Sequence, residues 1–450
     1  MNILDLIDQM GFVAIPFIIL ALLILAVSFS KDKKKLQDSL ASGKKGMAHG
    51  IIFGKEKGNL IYSPTDQEGH IAVFGGSGLG KTSAILIPTL KSWEGTSFSI
   101  DISGDIEANV SMKNKVVYDP DDPQSTPYDV FGAIDLLPSD TEKNEALEEL
   151  AFLIMPDRLS MSDASRFFNT EGRKILTASL IAFYHTGLDF CEICQKIFEN
   201  SWKHLFAEID QTNVTKAISY INSFLGASEQ NTAGCKQAVD AVIKLFATNA
   251  AIQNSVHRPQ NNKLTYSPAI LETHNVFIKI SDSKLKLYEP LLHMITAQTL
   301  QYFSARQITK NSKTILICLD ELASLGKLEL IDALRKYRKK KIRIMTLTQS
   351  MADVDMIYGH DERMAMLNNY RFKVLLGADD TDTQEYFAKL LGHQITNRGS
   401  VAKNAKQTTK TKTETLDWII PPESLAHLGD QLLLLHPEGY KKLQKAYYYK

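Results

Sequence analysis

Eight residues, Gly75-Gly-Ser-Gly-Leu-Gly-Lys-Thr82, constrain this chain more than any others, because they fit the pattern G-x-x-x-x-G-K-[ST]. A loop that wraps a phosphate must turn its backbone N–H groups inward, and glycines at 75, 76, 78 and 80 permit that turn. A helix starting near Lys81 then aims its positive end at the anion. The required context is a strand before the loop and a helix after it. Ile71-Ala-Val-Phe74 supplies the strand, and the apolar spacing from Lys81 to Trp93 supplies the helix. In this setting Gly75, Gly76, Ser77, Gly78, Leu79, Gly80 and Ser83 surround the phosphates. Lys81 reaches the β- and γ-phosphates, and the Thr82 hydroxyl ligates Mg²⁺. The implied cofactors are ATP and Mg²⁺.

A phosphate loop needs a second strand that carries acids. Thr314-Ile-Leu-Ile-Cys-Leu319 is a buried-strand pattern ending in Asp320-Glu321. Asp320 suits the metal, through water, and Glu321 suits the general base that polarises the attacking water. A further strand, Ile342–Leu347, ends in Thr348-Gln349, where a glutamine can sense the γ-phosphate or orient water. Between them lies a basic run of Arg335, Lys336, Arg338, Lys339, Lys340, Lys341 and Arg343. Three roles fit such a run: a solvated face, a phosphate-contacting finger offered to a neighbouring subunit, or a contact with a nucleic-acid backbone.

Strand signals alternate with helices around the loop and return after about residue 275, which predicts a parallel sheet covered by helices. Between them Glu145–Met155, Arg166–His185, Val214–Phe224 and Glu229–Thr248 show helical spacing only. The expected architecture is an α/β nucleotide-binding domain in two parts, 51–139 and 263–450, interrupted by an all-α domain over 140–262. Lys403–Thr413, rich in Lys and Thr, reads as a loose loop.

The N-terminal stretch is of a different kind. Gly11 to Phe29 carries no charge and approaches the roughly 20 residues that cross a bilayer as a helix. It lacks a basic start, carrying Asp5 and Asp8 instead, so it reads as an anchor rather than a cleaved signal. Lys31, Lys33, Lys34, Lys35, Lys44 and Lys45 all follow the span, which predicts a cytoplasmic body behind a single-pass anchor at 1–30 and a basic linker at 31–50. Lys+Arg and Asp+Glu both number 51, so any nucleic-acid surface must be a local cluster. Besides the basic run, Lys403, Lys406, Lys410 and Lys412 are the candidates. Cys191 and Cys194 form a lone C-x-x-C, and Cys235 and Cys318 stand far from it, so the four cysteines read as reduced thiols.

At Asp320-Glu-Leu-Ala-Ser-Leu-Gly-Lys-Leu328 the sequence resembles the TraG/TraD coupling proteins of conjugative type IV secretion, a likeness that covers most of the chain after the expected anchor. Leu347-Thr-Gln-Ser350, Tyr358-Gly359, Leu390-Leu-Gly-His393 and Pro421-Pro-Glu423 lie in the family's order. Asp101-Ile-Ser-Gly-Asp105 departs from the D-P-K-G-E segment that many members carry. The resemblance implies a RecA-like ATPase with an inserted all-α domain, assembled as a homo-hexamer on the inner (cell) membrane. It implies that relaxase-bound single-stranded DNA, with its relaxosome, is passed to the secretion channel. By position, Arg338 matches the family's trans-acting arginine and Gln349 its motif glutamine. Two other readings compete: a coupling protein that docks protein effectors only, and an anchored DNA translocase of the chromosome-segregation type.

Overall fold

A computed structural model of the protein describes residues 39–102, 104–157, 161–258, 264–404 and 407–450, with side chains described outside 397–413. The apolar run 11–29 lies outside the described residues. Among the described residues no helix is long and apolar enough to cross a membrane.

The framework is a twelve-stranded sheet. Its strands in chain order are β1 (Ala41–Gly43), β2 (Gly50–Glu56), β3 (Asn59–Pro64), β4 (His70–Phe74), β5 (Thr96–Asp101), β6 (Lys115–Tyr118) and β7 (Asn275–Lys279). They continue with β8 (Ile315–Leu319), β9 (Ile342–Thr348) and β10 (Tyr370–Leu375). A separate hairpin of β11 (His393–Asn404) and β12 (Gln407–Trp418) follows, and β13 (Gln431–His436) and β14 (Gly439–Gln444) return to the sheet. The spatial order is β1-β3-β2-β14-β13-β10-β4-β9-β8-β5-β7-β6. From β10 to β6 every neighbouring pair is parallel, and from β10 outward through β13 to β1 every pair is antiparallel.

The sequence explains the division. Strands β4, β5, β8 and β9 are buried at every position, as strands covered on both faces must be. Strand β3 (NLIYSP) mixes polar and apolar residues and varies from exposed to buried, which suits an edge region. Within the segment expected to be a linker, residues 41–43 form β1 and pair with β3.

Six of the seven described helices between Asp140 and Ser255 start at a side-chain cap, the exception being Thr215–Asn222 behind Val214. Ser139, Ser162, Ser201, Ser228 and Asn249 each accept a backbone N–H of the first turn, and Asp189 does so within a capping box closed by Glu192. The long helices Asp163–His185 and Glu229–Thr248 cross at Gly172, where a Cβ would stand 2.7 Å from the Cys235 carbonyl oxygen, so only glycine allows this approach. Cys191 and Cys194 are free and buried on Phe190–Glu199, and burial pushes both thiols up.

Two expectations require correction. The Lys/Thr-rich segment Lys403–Thr413 is not a loose loop: its described backbone belongs to the antiparallel β11–β12 hairpin, whose register runs from His393↔Trp418 to Asn404↔Gln407. Threonine at every second position from Thr409 to Thr415 explains this, because β-branched side chains favour extended backbone. Lys406 lies outside the described residues. The basic run is not one surface either. Arg343 is 1% exposed inside β9, while Arg338 on the short helix Tyr337–Lys340 has a side chain 56% exposed.

The buried guanidinium ties down the approach to the phosphate-loop strand. Arg343 donates to the Gly69 carbonyl at 3.0 Å, the Pro64 carbonyl at 2.9 Å and Ser63 Oγ at 3.0 Å. Beside it, His70 Nδ1 accepts the Ile344 N–H at 2.9 Å. Burial first and Arg343 second pull the His70 pKa down to about 3, so the ring is neutral and able to accept. Replacing Arg343 with Met takes a donor from the Gly69 carbonyl and the Ser63 hydroxyl, while the Pro64 carbonyl keeps the Gln67 N–H at 3.0 Å. The expected loss is about 2–4 kcal/mol in denaturant unfolding. Arg343→Lys should recover only part of it, since one ammonium cannot span three acceptors in the same geometry.

Candidate nucleotide site

Parallel pairing brings the carboxyl ends of β4, β9 and β8 to one edge of the sheet. Phe74 is level with Thr348, and Leu319 with Thr346. The turns that follow these strands carry the phosphate loop, Gln349 and Asp320-Glu321. Ligands in open α/β sheets bind along this kind of edge.

The loop leaves β4 through Gly75, whose N–H donates to the Thr348 carbonyl at 3.2 Å. Gly78 (φ 73°) and Gly80 (φ 99°) take left-handed backbone that reverses the chain. The helix that follows begins as a π turn, Lys81–Leu86, and continues as Ile87–Ser92. Lys81 is 7% exposed and its Nζ donates to the Gly75 carbonyl at 2.8 Å and the Gly76 carbonyl at 3.5 Å. The ammonium is therefore held inside the curve of the loop. Ser77 and Leu79 lie in the loop, and Ser83 in the first turn of the helix.

Across from the loop, Thr82 Oγ1 donates to Asp320 Oδ2 at 3.3 Å. Asp320 is 8% exposed, and its other oxygen accepts the Glu321 N–H at 3.1 Å. Burial first and the Glu321 charge second push its carboxyl up to about 6, while Lys81, the backbone bond and Thr82 pull the other way. A buried carboxylate and a hydroxyl at this separation, with charge left to neutralise, fit a hard divalent cation that prefers oxygen ligands.

Glu321 adopts left-handed backbone (φ 50°, ψ 55°), uncommon for a residue with a side chain. The short helix Leu322–Leu325 follows it at once. Gln349 stands between the end of β9 and Ser350, which caps Met351–Asn369 with Asp353 in a capping box. Its Nε2 donates to Glu321 Oε2 at 3.4 Å. Lys81, Thr82, Asp320, Glu321 and Gln349 thus form one connected constellation.

Arg338 is not part of it. Its helix precedes β9, at the opposite end of the strand from Gln349. Seven residues at about 3.3 Å each separate the two ends by roughly 20 Å. In its own chain Arg338 meets Glu68, with 3.5 Å between Nε and Oε2. Asp101 likewise has a local structural role, its Oδ2 accepting the Glu107 N–H at 2.7 Å. Two residues at the site edge carried no signal in the sequence. Asp379 follows β10, with an oxygen 3.1 Å from where a Gly76 Cβ would stand, and Tyr447 Cε1 is 3.2 Å from the equivalent point at Gly80. Only the pairing of β10 beside β4 and the path of the chain after β14 bring them here.

VirD4 of Rhizobium rhizogenes is 22% identical over 424 residues, which cover 89% of this chain and 62% of that protein. The chain therefore spans less than two thirds of that relative's length. The conjugative coupling protein TrwBΔN70 in its unbound form superposes with a TM-score of 0.67 at 19% identity, covering 84% of each chain. TrwB bound to ADP and Mg²⁺ gives 0.65 at 18% identity, over 84% of this chain and 85% of that one. These likenesses establish a shared fold, a large mixed α/β architecture around a central sheet. Residues 29–450, nearly the whole chain, match the family described as type IV secretory system conjugative DNA transfer, and the chain belongs to that family.

Proposed function

We propose that this protein is a membrane-anchored ATPase that couples a DNA-bearing substrate to a type IV secretion channel. The observation that carries the proposal is the single edge on which Lys81, Thr82, Asp320, Glu321 and Gln349 converge. TrwB, which shares the fold, has been seen with ADP and Mg²⁺ and with a non-hydrolysable ATP analogue. In this reading Lys81 moves from the loop carbonyls to the β- and γ-phosphates, and the loop N–H groups hold the remaining oxygens. Thr82 and Asp320 would hold Mg²⁺, whose charge would offset the negative charge of the phosphates. Glu321 takes the proton of the attacking water, and Gln349, bonded to it, orients that water.

Because Arg338 lies roughly a strand's length from its own site, the trans role requires a neighbouring copy. A homo-hexameric ring fits that requirement and leaves a channel for single-stranded DNA delivered with its relaxase. The anchor at 11–29 places the ring at the inner membrane, with the helices of 140–262 as the domain that engages cargo. A coupling protein that docks only protein effectors is the second reading, and the neutral net charge is compatible with it.

The deciding experiment is ATPase activity with and without single-stranded DNA. DNA should stimulate turnover, and the stimulation should fade as salt rises, because the contact is to phosphates. Glu321→Gln should retain ATP binding and lose hydrolysis by roughly 100-fold or more, whereas Lys81→Ala should weaken binding itself. Normal turnover by Glu321→Gln excludes the proposed base. A verified hexamer whose rate ignores DNA at low salt transfers the assignment to protein cargo.

The trans arginine is tested by mixing. Arg338→Ala should bind ATP and turn over slowly, and adding Lys81→Ala protein should restore activity, since some interfaces then hold both intact parts. Full activity in an isolated monomer excludes it.

The raised Asp320 carboxyl predicts a pH dependence. Metal binding needs the carboxylate, so protons compete below about 6. Mg²⁺-nucleotide affinity should therefore fall as pH drops from about 7 to about 5. The nucleotide-free protein should show the opposite sign. Its folded state keeps a proton that the unfolded chain has lost, so stability falls as pH rises from the ordinary carboxylate range through about 6. Asp320→Asn should flatten both curves, as measured by calorimetry and thermal melting.

A further inference from the structure

The chain after β14 turns back onto the phosphate loop, and a proline makes room for it. In the π turn Lys81–Leu86 the bonds run from a carbonyl to the N–H five residues on, as where the Ile87 N–H donates to the Thr82 carbonyl. The next carbonyl, Ser83, would require the N–H of residue 88, but residue 88 is proline and has none. The Tyr448 N–H fills the gap, donating to the Ser83 carbonyl at 3.0 Å. The Lys91 ammonium lies 4.8 Å from the centroid of the Tyr448 ring. The tail is thus fastened to the first turn of the phosphate helix by a backbone bond that the sequence of that helix leaves open.

This bond sets the neighbouring rings beside the loop. Tyr447 reaches Gly80, where a Cβ would lie 3.2 Å from its Cε1. Tyr449 stacks on Tyr447 with centroids 5.3 Å apart and planes 27° from parallel, and it is 62% exposed. Lys450 Nζ lies 4.5 Å from the Tyr447 ring centroid.

Topology fixes which end of a bound triphosphate the rings would meet. Strands β9 and β8, with Asp320, lie on one side of β4, and β10, β13 and β14 lie on the other. The tail follows β14, so it reaches the loop from the side opposite the acids. Thr82 and Asp320 define the terminal-phosphate end, and the nucleoside then points towards the tail.

We infer that Tyr447 and Tyr449 form the shelf on which the purine of the bound nucleotide stacks. The inference rests on the nucleotide-binding reading above. Flat rings stack on any purine, and a cation beside the pair adds to the attraction.

The test compares two ligands by calorimetry on the full-length protein: Mg²⁺-ATP, and Mg²⁺-tripolyphosphate, which has the phosphates without the nucleoside. Tyr447→Ala and Tyr449→Ala should each weaken ATP binding roughly tenfold and leave tripolyphosphate affinity unchanged. Tyr447→Phe and Tyr449→Phe should bind ATP as the native protein does. Unchanged tripolyphosphate binding also shows that the loop has kept its shape. If ATP and tripolyphosphate weaken together, the tail props the loop and receives no base, and the inference is overturned. It is equally overturned if neither weakens. Should the native protein bind tripolyphosphate and ATP equally well, the shelf alone is refuted, whereas binding of neither refutes the nucleotide-site reading itself.

Discussion

Parallel hydrogen bonding of β4 to β9, and of β9 to β8, is the constraint on which the rest of this molecule depends. Parallel strands point their carboxyl ends the same way, so each turn leaving the sheet at that edge faces its neighbours. Phosphate loop, acid pair and glutamine come from segments more than 200 residues apart in places, yet level pairing such as Phe74 with Thr348 sets them side by side. The cost is topological. Each parallel step needs a crossover, and the long excursion between β6 and β7 is one such crossover, filled by helices.

Burial of charge concentrates at two places along β4, and the two are handled differently. Below the strand, Arg343 is satisfied by three oxygens and serves the fold alone. At its upper end Lys81 and Asp320 are held only by neutral oxygens, N–H groups and one hydroxyl, so each keeps its charge available. A low-dielectric site of this kind magnifies the attraction of a bound cation or phosphate, and it raises the Asp320 carboxyl for the same reason. The left-handed backbone at Glu321 belongs to this pattern. A strained position beside a site is retained because the surrounding structure overdetermines it, here through the Asp320 carboxylate and the helix that follows.

The antiparallel wing has a role beyond extending the sheet. It returns the chain to β10 and β4 through β13 and β14, and it delivers the tail to the phosphate helix. Arg338, by contrast, is placed where its own site is out of reach.

Much of this was legible in the sequence because it is local. Glycine spacing fixes a turn, a five-residue apolar run fixes a buried strand, and the residue after such a strand sits at the sheet edge. Gly75 to Ser83, Asp320, Glu321 and Gln349 could be placed by those rules, and the long helices by the spacing of their apolar residues. The Lys/Thr segment was misread because its polarity suggested a loop while its β-branched alternation was the stronger signal. Arg343 was read with its basic neighbours because charge is visible in a sequence and burial is not. Strand order, the approach of Asp379 and Tyr447 to the loop, and the distance of Arg338 from its own site were decided only by tertiary structure. They depend on which strands pair across long separations, and that choice is made by the burial of whole faces rather than by any local run of residues.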